Sequence, residues 1–176
     1  MIARPQALAM MALLFASLEV AAADPDNQVR ARPPADALAH AAHLQILRDG
    51  ANDELRIWVH SVIQIRGRMT GWVATTAGLE RCWVEFRLVN EGAEYGNSRC
   101  VMAVDPKRAR RVLDYLPEMS EGSFRDCSGI IDGAEVTVDG VFRRRRFALN
   151  VANPEFCYAP FKELFDFLEA TKWDGP

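Results

Sequence analysis

The chain has 176 residues, 49% of them hydrophobic and 26% charged, and its formal net charge at pH 7 is −3. A chain of this size and composition can bury one hydrophobic core, so we expect a single domain after any targeting segment. The acidic balance argues against a dedicated nucleic-acid-binding protein, because such proteins usually carry a marked excess of basic residues.

The N-terminal residues 1–23 have the order of a secretory signal peptide. Arg4 supplies a positive charge, residues 7–18 are apolar, and three alanines precede Asp24. Because the apolar run is too short to cross a membrane, we predict cleavage after residue 23 and no transmembrane segment in the mature chain. The product is expected to be exported, either to the periplasm or out of the cell.

A polar, proline-rich stretch follows the predicted cleavage site, and residues 24–34 are expected to form a flexible leader. The remaining residues, 35–176, are expected to form one disulfide-stabilised α+β domain. Its first element, residues 35–50, has the composition of a helix, with Asp36 as the N-cap and Gly50 as the stop signal.

Two segments rich in β-branched and aromatic residues, ELRIWVHSVIQIRG and MTGWVATTAG, are predicted strands. They precede a hairpin that residues 82–89 and 95–104 form around Glu91. In an antiparallel pair, opposed residues have a constant sum of residue numbers, so this hairpin places Cys82 opposite Cys100.

Four cysteines lie after the predicted signal peptide: Cys82, Cys100, Cys127 and Cys157. An even number of cysteines in an exported chain predicts disulfides, since the compartments outside the cytoplasm are oxidising. With Cys82 paired to Cys100, the second bridge is Cys127–Cys157. A zinc site is disfavoured, because no two of these cysteines have the Cys-x-x-Cys spacing.

Two further helices are predicted in the second half of the chain. The first covers residues 105–119, with Asp105 as its cap and Pro106 in its first turn, and it should end or bend at Pro117. The second covers residues 160–171. Their apolar stripes follow helical spacing and consist of Ala109, Val112, Leu113 and Leu116, and of Phe161, Leu164, Phe165 and Leu168.

The stretch GVFRRRRFALNV contains four consecutive arginines and is read as one arm and the tip of a second hairpin. A turn at Arg143-Arg144 places Val136 opposite Val151, Val138 opposite Leu149, and Phe147 over Gly140, which keeps one face apolar. We expect a loose four-residue tip, because arginine is unusual in tight hairpin turns. All four guanidinium groups are then expected to reach solvent, and the basic residues Lys107, Arg108, Arg110 and Arg111 would widen the patch if folding brings them close.

The predicted elements follow the order α-β-β-β-β-α-β-β-α. Short hairpin connections between the strands predict an α+β domain. We expect an antiparallel sheet of about six strands built from hairpins, with two or three helices packed on one face.

No sequence pattern identifies an enzyme class. A Gly-x-Ser-x-Gly nucleophile elbow and a phosphate-binding glycine loop are both missing, and Ser128 in RDCSGIIDG has no convincing base beside it. His40 and His43 lie three residues apart, and His60 on the next strand is a third possible metal ligand. We favour the interpretation that these histidines are ordinary surface residues, and we predict no catalytic residue, no cofactor and no bound metal.

The combination of an export signal, a disulfide hairpin and a second hairpin bracketed by cysteines resembles small exported proteins of the bacterial envelope. The leading hypothesis is therefore a small binding or interaction protein whose partner is an envelope or extracellular component. Two alternatives stay open. One is a small metal-dependent or hydrolytic enzyme. The other is an anion-binding module in which Arg143, Arg144, Arg145 and Arg146 hold an anionic polymer or a lipid head group.

Overall fold

The structure is a computed structural model that describes residues 35–61, 64–89, 92–105, 107–121, 133–154 and 158–174. The predicted signal peptide and leader lie outside these residues. So do Pro106, Ser128 and the predicted Cys127–Cys157 bridge.

An antiparallel sheet of six strands forms the centre of the fold, in the order β4-β3-β2-β1-β5-β6. The strands are β1 (Glu54–Ser61), β2 (Arg66–Thr75), β3 (Gly78–Val89), β4 (Gly92–Met102), β5 (Ala134–Phe142) and β6 (Arg145–Ala152). The described residues also form the helices α1 (Ala35–Ala41), α2 (Arg108–Leu113), α3 (Leu116–Ser120) and α4 (Ala159–Glu169). The predicted α+β fold is confirmed. None of the helices in these ranges is long and apolar enough to cross a membrane.

The larger hydrophobic core lies between one face of the sheet and the helices α2, α3 and α4. Alternate residues of a strand point to the same face, so Ile57 of β1 and Val138 of β5 lie side by side in this core. From α4, Phe161, Leu164 and Leu168 pack onto them, as the helical spacing predicts. Complete burial of each such side chain stabilises the fold by roughly 1.5–3 kcal/mol.

A second, smaller core lies on the opposite face, beneath α1. It contains Leu38 of α1 with Trp58, Val84 and other residues of the central strands. Trp58 lies over β2 at a glycine, and a Cβ at Gly71 would be only 2.2 Å from the Trp58 Cε3 atom. The prediction of helices on one face therefore holds for α2, α3 and α4, while α1 covers the other face.

Two predicted helices have different bounds in the structure. The helix predicted over residues 35–50 ends at Ala41, where His43 has a positive φ of 58°. The second helix is interrupted before Pro117, as predicted: α2 ends at Leu113, and a separate short helix, α3, begins at Leu116 with Pro117 in its first turn. The N-cap of α2 is Lys107 and not the predicted Asp105, which lies two residues earlier and accepts a hydrogen bond of 3.0 Å from the Lys107 N–H at its Oδ1 atom.

The β3–β4 hairpin contains the predicted disulfide between Cys82 and Cys100, which are directly opposed. The register is not constant along the hairpin, however. Val84 pairs with Ser98 whereas Phe86 pairs with Tyr95, so β4 has one extra residue opposite Glu85. This β-bulge lies between the disulfide and the end of the hairpin, and the rule of a constant sum fails beyond it.

The β5–β6 hairpin has the predicted register, with Val136 opposite Val151 and Val138 opposite Leu149. The expectation of a loose tip is wrong. Phe142 pairs with Arg145, and Arg143 and Arg144 alone form the turn, with positive φ angles of 49° and 68°. Both signs match the tight turn that suits the twist of a hairpin.

Contacts with residues 49–53 hold this unusual turn. The Arg143 N–H donates to Asp53 Oδ1 at 3.0 Å, and the Gly50 N–H donates to the Arg144 carbonyl oxygen at 2.7 Å. On the next strand, the Arg146 N–H donates to Asp49 Oδ1 at 2.7 Å. The tip is therefore docked onto the segment that precedes β1.

Candidate functional site

The four consecutive arginines do not form one solvent-exposed group. Arg143, Arg144 and Arg145 are exposed, but the guanidinium of Arg146 folds back onto β5. Its Nε lies 2.9 Å from Asp139 Oδ1 and its Nη2 lies 3.2 Å from Asp139 Oδ2, and a further hydrogen bond joins it to Asp36 of α1. The prediction that all four guanidinium groups reach solvent is wrong for Arg146.

Asp139 explains why Arg146 is held in this way. The carboxylate is only 1% exposed, and a buried carboxylate needs a charged partner to remain ionised. The hydrogen bond from Arg146 to Asp139 raises the pKa of the guanidinium, so Arg146 stays charged. Arg146 is therefore a structural residue that ties the second hairpin to α1.

The alternative metal site of three histidines is not assembled among the described residues. His40 and His43 are exposed, whereas His60 is buried on β1, with its Nε2 atom 3.2 Å from Glu135 Oε2. Among the residues that the structure describes, a single group of three potential metal ligands lies close together, and it consists of Glu80, Cys82 and Cys100. Because both cysteines are in the disulfide, this group is not a metal site.

A more extensive surface lies on the helix-bearing face of the sheet, on the part of β2, β3 and β4 that extends beyond α2, α3 and α4. Trp72 of β2 and Leu79 of β3 are buried under the helices, so both point to the helix-bearing face. Because residues two apart on a strand share a face, every second residue counted from these two lies on the same face. These residues form cross-strand rows, such as Thr70–Trp83–Arg99 and Arg68–Glu85. We call it the arginine–tryptophan face and define it by Arg66, Arg68, Arg81, Trp83, Glu85, Arg87, Glu94 and Arg99.

The charge of this face is mostly positive. Arg66, Arg68 and Arg99 are exposed, and none of them makes an ion pair with another described residue. Arg87 pairs with Glu94 at 2.6 Å, and its partner is equally exposed. Since the whole chain has a net charge of −3, the face is a local basic region on an acidic protein.

Trp83 lies at the centre of these arginines and is half-buried. The guanidinium of Arg81 lies over its ring, 5.4 Å from the centroid, and 5.9 Å from the centroid of the Trp72 ring. Arg81 is also 3.6 Å from Glu169 at the end of α4. This stacking favours the observed orientation of Trp83, which gives the face an aromatic centre.

Two adjoining clefts run across the face. The larger, of about 720 Å³, is lined by residues that include Arg66, Arg87 and Tyr95. The smaller, of about 220 Å³, is lined by residues that include Trp83 and Arg99. Arg68 and Glu85 belong to both clefts, so the two are continuous.

Tyr95 borders the larger cleft, but its side chain lies on the opposite face of the sheet, where it packs against the smaller core. Its hydroxyl group is buried and has no hydrogen-bond partner among the described residues. Burial raises the pKa of Tyr95 to about 12, because the phenolate would be poorly solvated. The phenol therefore remains neutral at physiological pH.

Sequence reasoning missed this face because it looked for adjacent charges. The signal that was present is alternation, since Arg66 and Arg68, and then Arg81, Trp83 and Arg87, recur with the period of two that places side chains on one face of a strand. Bringing the two sets together also requires the pairing of β2 with β3 and of β3 with β4.

Comparison with protein-family models, with curated proteins and with solved structures finds no match to this chain.

Proposed function

We propose that the chain is an exported binding protein whose arginine–tryptophan face holds an anionic polymer of the envelope or of the extracellular medium. The observation that carries the proposal is the group of unpaired, exposed arginines, Arg66, Arg68 and Arg99, around the ordered ring of Trp83. The Cys82–Cys100 disulfide is consistent with an oxidising compartment, where such a polymer would be met.

The chemistry of the face favours carboxylate, phosphate or sulfate groups. Guanidinium groups bind these planar or tetrahedral anions through paired, charge-assisted hydrogen bonds, which ammonium groups do less well. Trp83 adds an apolar surface against which the uncharged part of a repeating unit can pack.

The spacing of the arginines favours an extended ligand over a single small anion. Arg66 and Arg68 are two residues apart on β2, which corresponds to roughly 6.8 Å, and Arg99 is two strands away, at on the order of 10 Å. Charges separated in this way match successive groups of a polymer. The continuous, open clefts between them also suit a chain that lies across the sheet.

The test compares retention on immobilised heparin and on a polyuronate at low and moderate salt. The variant Arg68→Ser/Arg99→Ser removes two positive charges from the face. The matched control, Arg143→Asn/Arg144→Gly, removes two from the hairpin tip and supplies residues that suit its turn. We expect the face variant to bind at least about tenfold more weakly than the unmodified protein. The tip variant should be retained like the unmodified protein.

Three outcomes would contradict the proposal. Loss of retention in the tip variant alone would identify Arg143 and Arg144 as the anion site. Equal retention of all proteins would exclude both arginine groups. Binding to anionic vesicles but not to either polymer would make a lipid head group the ligand instead.

A further inference from the structure

Another cleft, which we call the helix-end cleft, lies apart from the arginine–tryptophan face, where α2 and α3 meet the turns at one end of the sheet. Its volume is about 670 Å³, which is within the range of sites for small ligands. The apolar part of its lining comes from both sides. Leu113, Leu116 and Pro117 belong to the helices, whereas Phe142 is the last residue of β5, directly before the arginine turn.

The rim of this cleft is basic at the start of α2. Lys107 and Arg110 are three residues apart, so they lie on the same side of the helix, and both are exposed lining residues. Neither makes an ion pair with another described residue. Phe142 also lines the cleft, and the guanidinium of Arg143, which is not a lining residue, lies 5.0 Å from the centroid of its ring.

Two carboxylates also line the cleft, those of Asp53 and Asp114. Asp53 already accepts the hydrogen bond from the Arg143 N–H. Asp114 follows the last residue of α2, one turn beyond Arg110. Asp114 is therefore a neighbour of Arg110, and the lining combines two exposed cations, two carboxylates, one of which already accepts a hydrogen bond, and an apolar part.

From this arrangement we infer that the cleft binds a single amphipathic anion, with a carboxylate or phosphate head on Lys107 and Arg110 and an aliphatic or aromatic body between Leu113 and Phe142. Burial of the body supplies the apolar driving force, and the basic rim fixes the orientation of the head. This ligand class differs from that of the arginine–tryptophan face, because the cleft is concave and largely apolar.

The probe for this inference is decanoate, titrated into the purified protein and followed by calorimetry. Acetate has the same head without the body, and decyltrimethylammonium has the same body with the opposite charge. We expect saturable binding of decanoate with a stoichiometry near one, and at least about tenfold weaker binding of both other probes. Equal binding of decanoate and decyltrimethylammonium would overturn the inference.

Variants of the rim test the site itself. Arg110→Glu should weaken decanoate binding about tenfold or more, and Thr76→Trp should block the cleft from the β2–β3 turn. Asp114→Asn should tighten binding, which a purely structural role would not do. The control Lys172→Glu makes the same charge change as Arg110→Glu at an exposed residue outside the cleft, and it should bind as the unmodified protein does.

Two further results separate the sources of the ligand and the two proposals. Binding of decanoate that is unchanged in Arg110→Glu would contradict the inference. Binding of vesicles containing decanoate without binding of free decanoate would also contradict it, since a single anion would then not suffice. The Arg68→Ser/Arg99→Ser variant should keep its affinity for decanoate, so failure of the polymer proposal leaves this one testable.

Discussion

The arginines of the β5–β6 hairpin and those of the arginine–tryptophan face are arranged in opposite ways. In the hairpin, four arginines are adjacent in sequence, and the fold separates them. Arg143 and Arg144 occupy the turn, whereas Arg145 and Arg146 point to opposite faces of β6, because neighbouring strand residues alternate. In the face, arginines from three strands are scattered along the sequence, and the sheet gathers them.

The two groups also differ in what holds each guanidinium. Arg146 is paired with Asp139, which is buried, whereas Arg87 is paired with Glu94 in solvent. An ion pair with a buried partner fixes structure, and an exposed pair exchanges readily with water and ligands. A run of like charges is therefore a poor guide to a binding surface when the run lies in a hairpin.

The largest effect expected from this comparison is that of Asp139→Ala. It removes the buried carboxylate that accepts two hydrogen bonds from Arg146, which keeps only Asp36 as a partner, so the free energy of unfolding should fall by about 1.5–3 kcal/mol. The matched variant Glu94→Ala removes the exposed partner of Arg87 and should cost less than about 1 kcal/mol. Chemical denaturation measures both values, and equal losses would contradict the distinction between the two pairs.

A smaller effect of the opposite sign is expected at the turn. Arg143 and Arg144 both have positive φ angles, which asparagine and glycine adopt at lower cost. Arg143→Asn/Arg144→Gly should therefore raise the free energy of unfolding by about 1 kcal/mol. Thermal unfolding provides the measurement, and a loss of stability would mean that the arginine side chains themselves hold the turn.

The smallest effect is confined to alkaline pH and concerns Tyr95. The pKa of Tyr95 is about 12 in the folded state and about 10 when unfolded, so the folded state keeps its proton longer. Its contribution to stability is fully present below pH 10 and is lost as the pH rises from 10 to 12. Between pH 10 and 12, the free energy of unfolding of the Tyr95→Phe variant should fall less than that of the unmodified protein. Denaturation curves recorded at successive pH values measure both. Parallel pH profiles of the two proteins would contradict this assignment.

The parts of the fold that sequence patterns predicted are those set by local periodicity. The stripe of Phe161, Leu164 and Leu168 identifies α4, and the alternation of valines fixes the register of the β5–β6 hairpin. The pairing of Cys82 with Cys100 follows from the hairpin in the same way. Each of these depends on residues that are close along the chain or related by one turn.

The features that could not be predicted depend on contacts between distant segments. Asp36 and Arg146 are 110 residues apart, and their ion pair requires that α1 lie over β6. The bulge opposite Glu85 has no residue pattern that places it in advance. In the helix-end cleft, Lys107 and Arg110 line the same space as Phe142, and this depends on where α2 crosses the end of the sheet. Strand order and helix position decide the ion pair and the cleft, and neither is encoded in a short stretch.

The disulfide has a consequence for where the arginine–tryptophan face can exist. Strand β4 is an edge strand, so backbone hydrogen bonds hold it on one side only, and Cys100 is the point at which it is bonded covalently to β3. The disulfide closes a loop with a sequence separation of 18, and a loop of this length stabilises the folded state by about 3 kcal/mol relative to the unfolded chain. In a reducing compartment, β4 would open more often, and Arg99, which is adjacent to Cys100, would leave the side of Trp83. The proposed binding of a polymer should therefore be weaker in the reduced protein, and a polymer that binds this face would in turn protect β4 from hydrogen exchange.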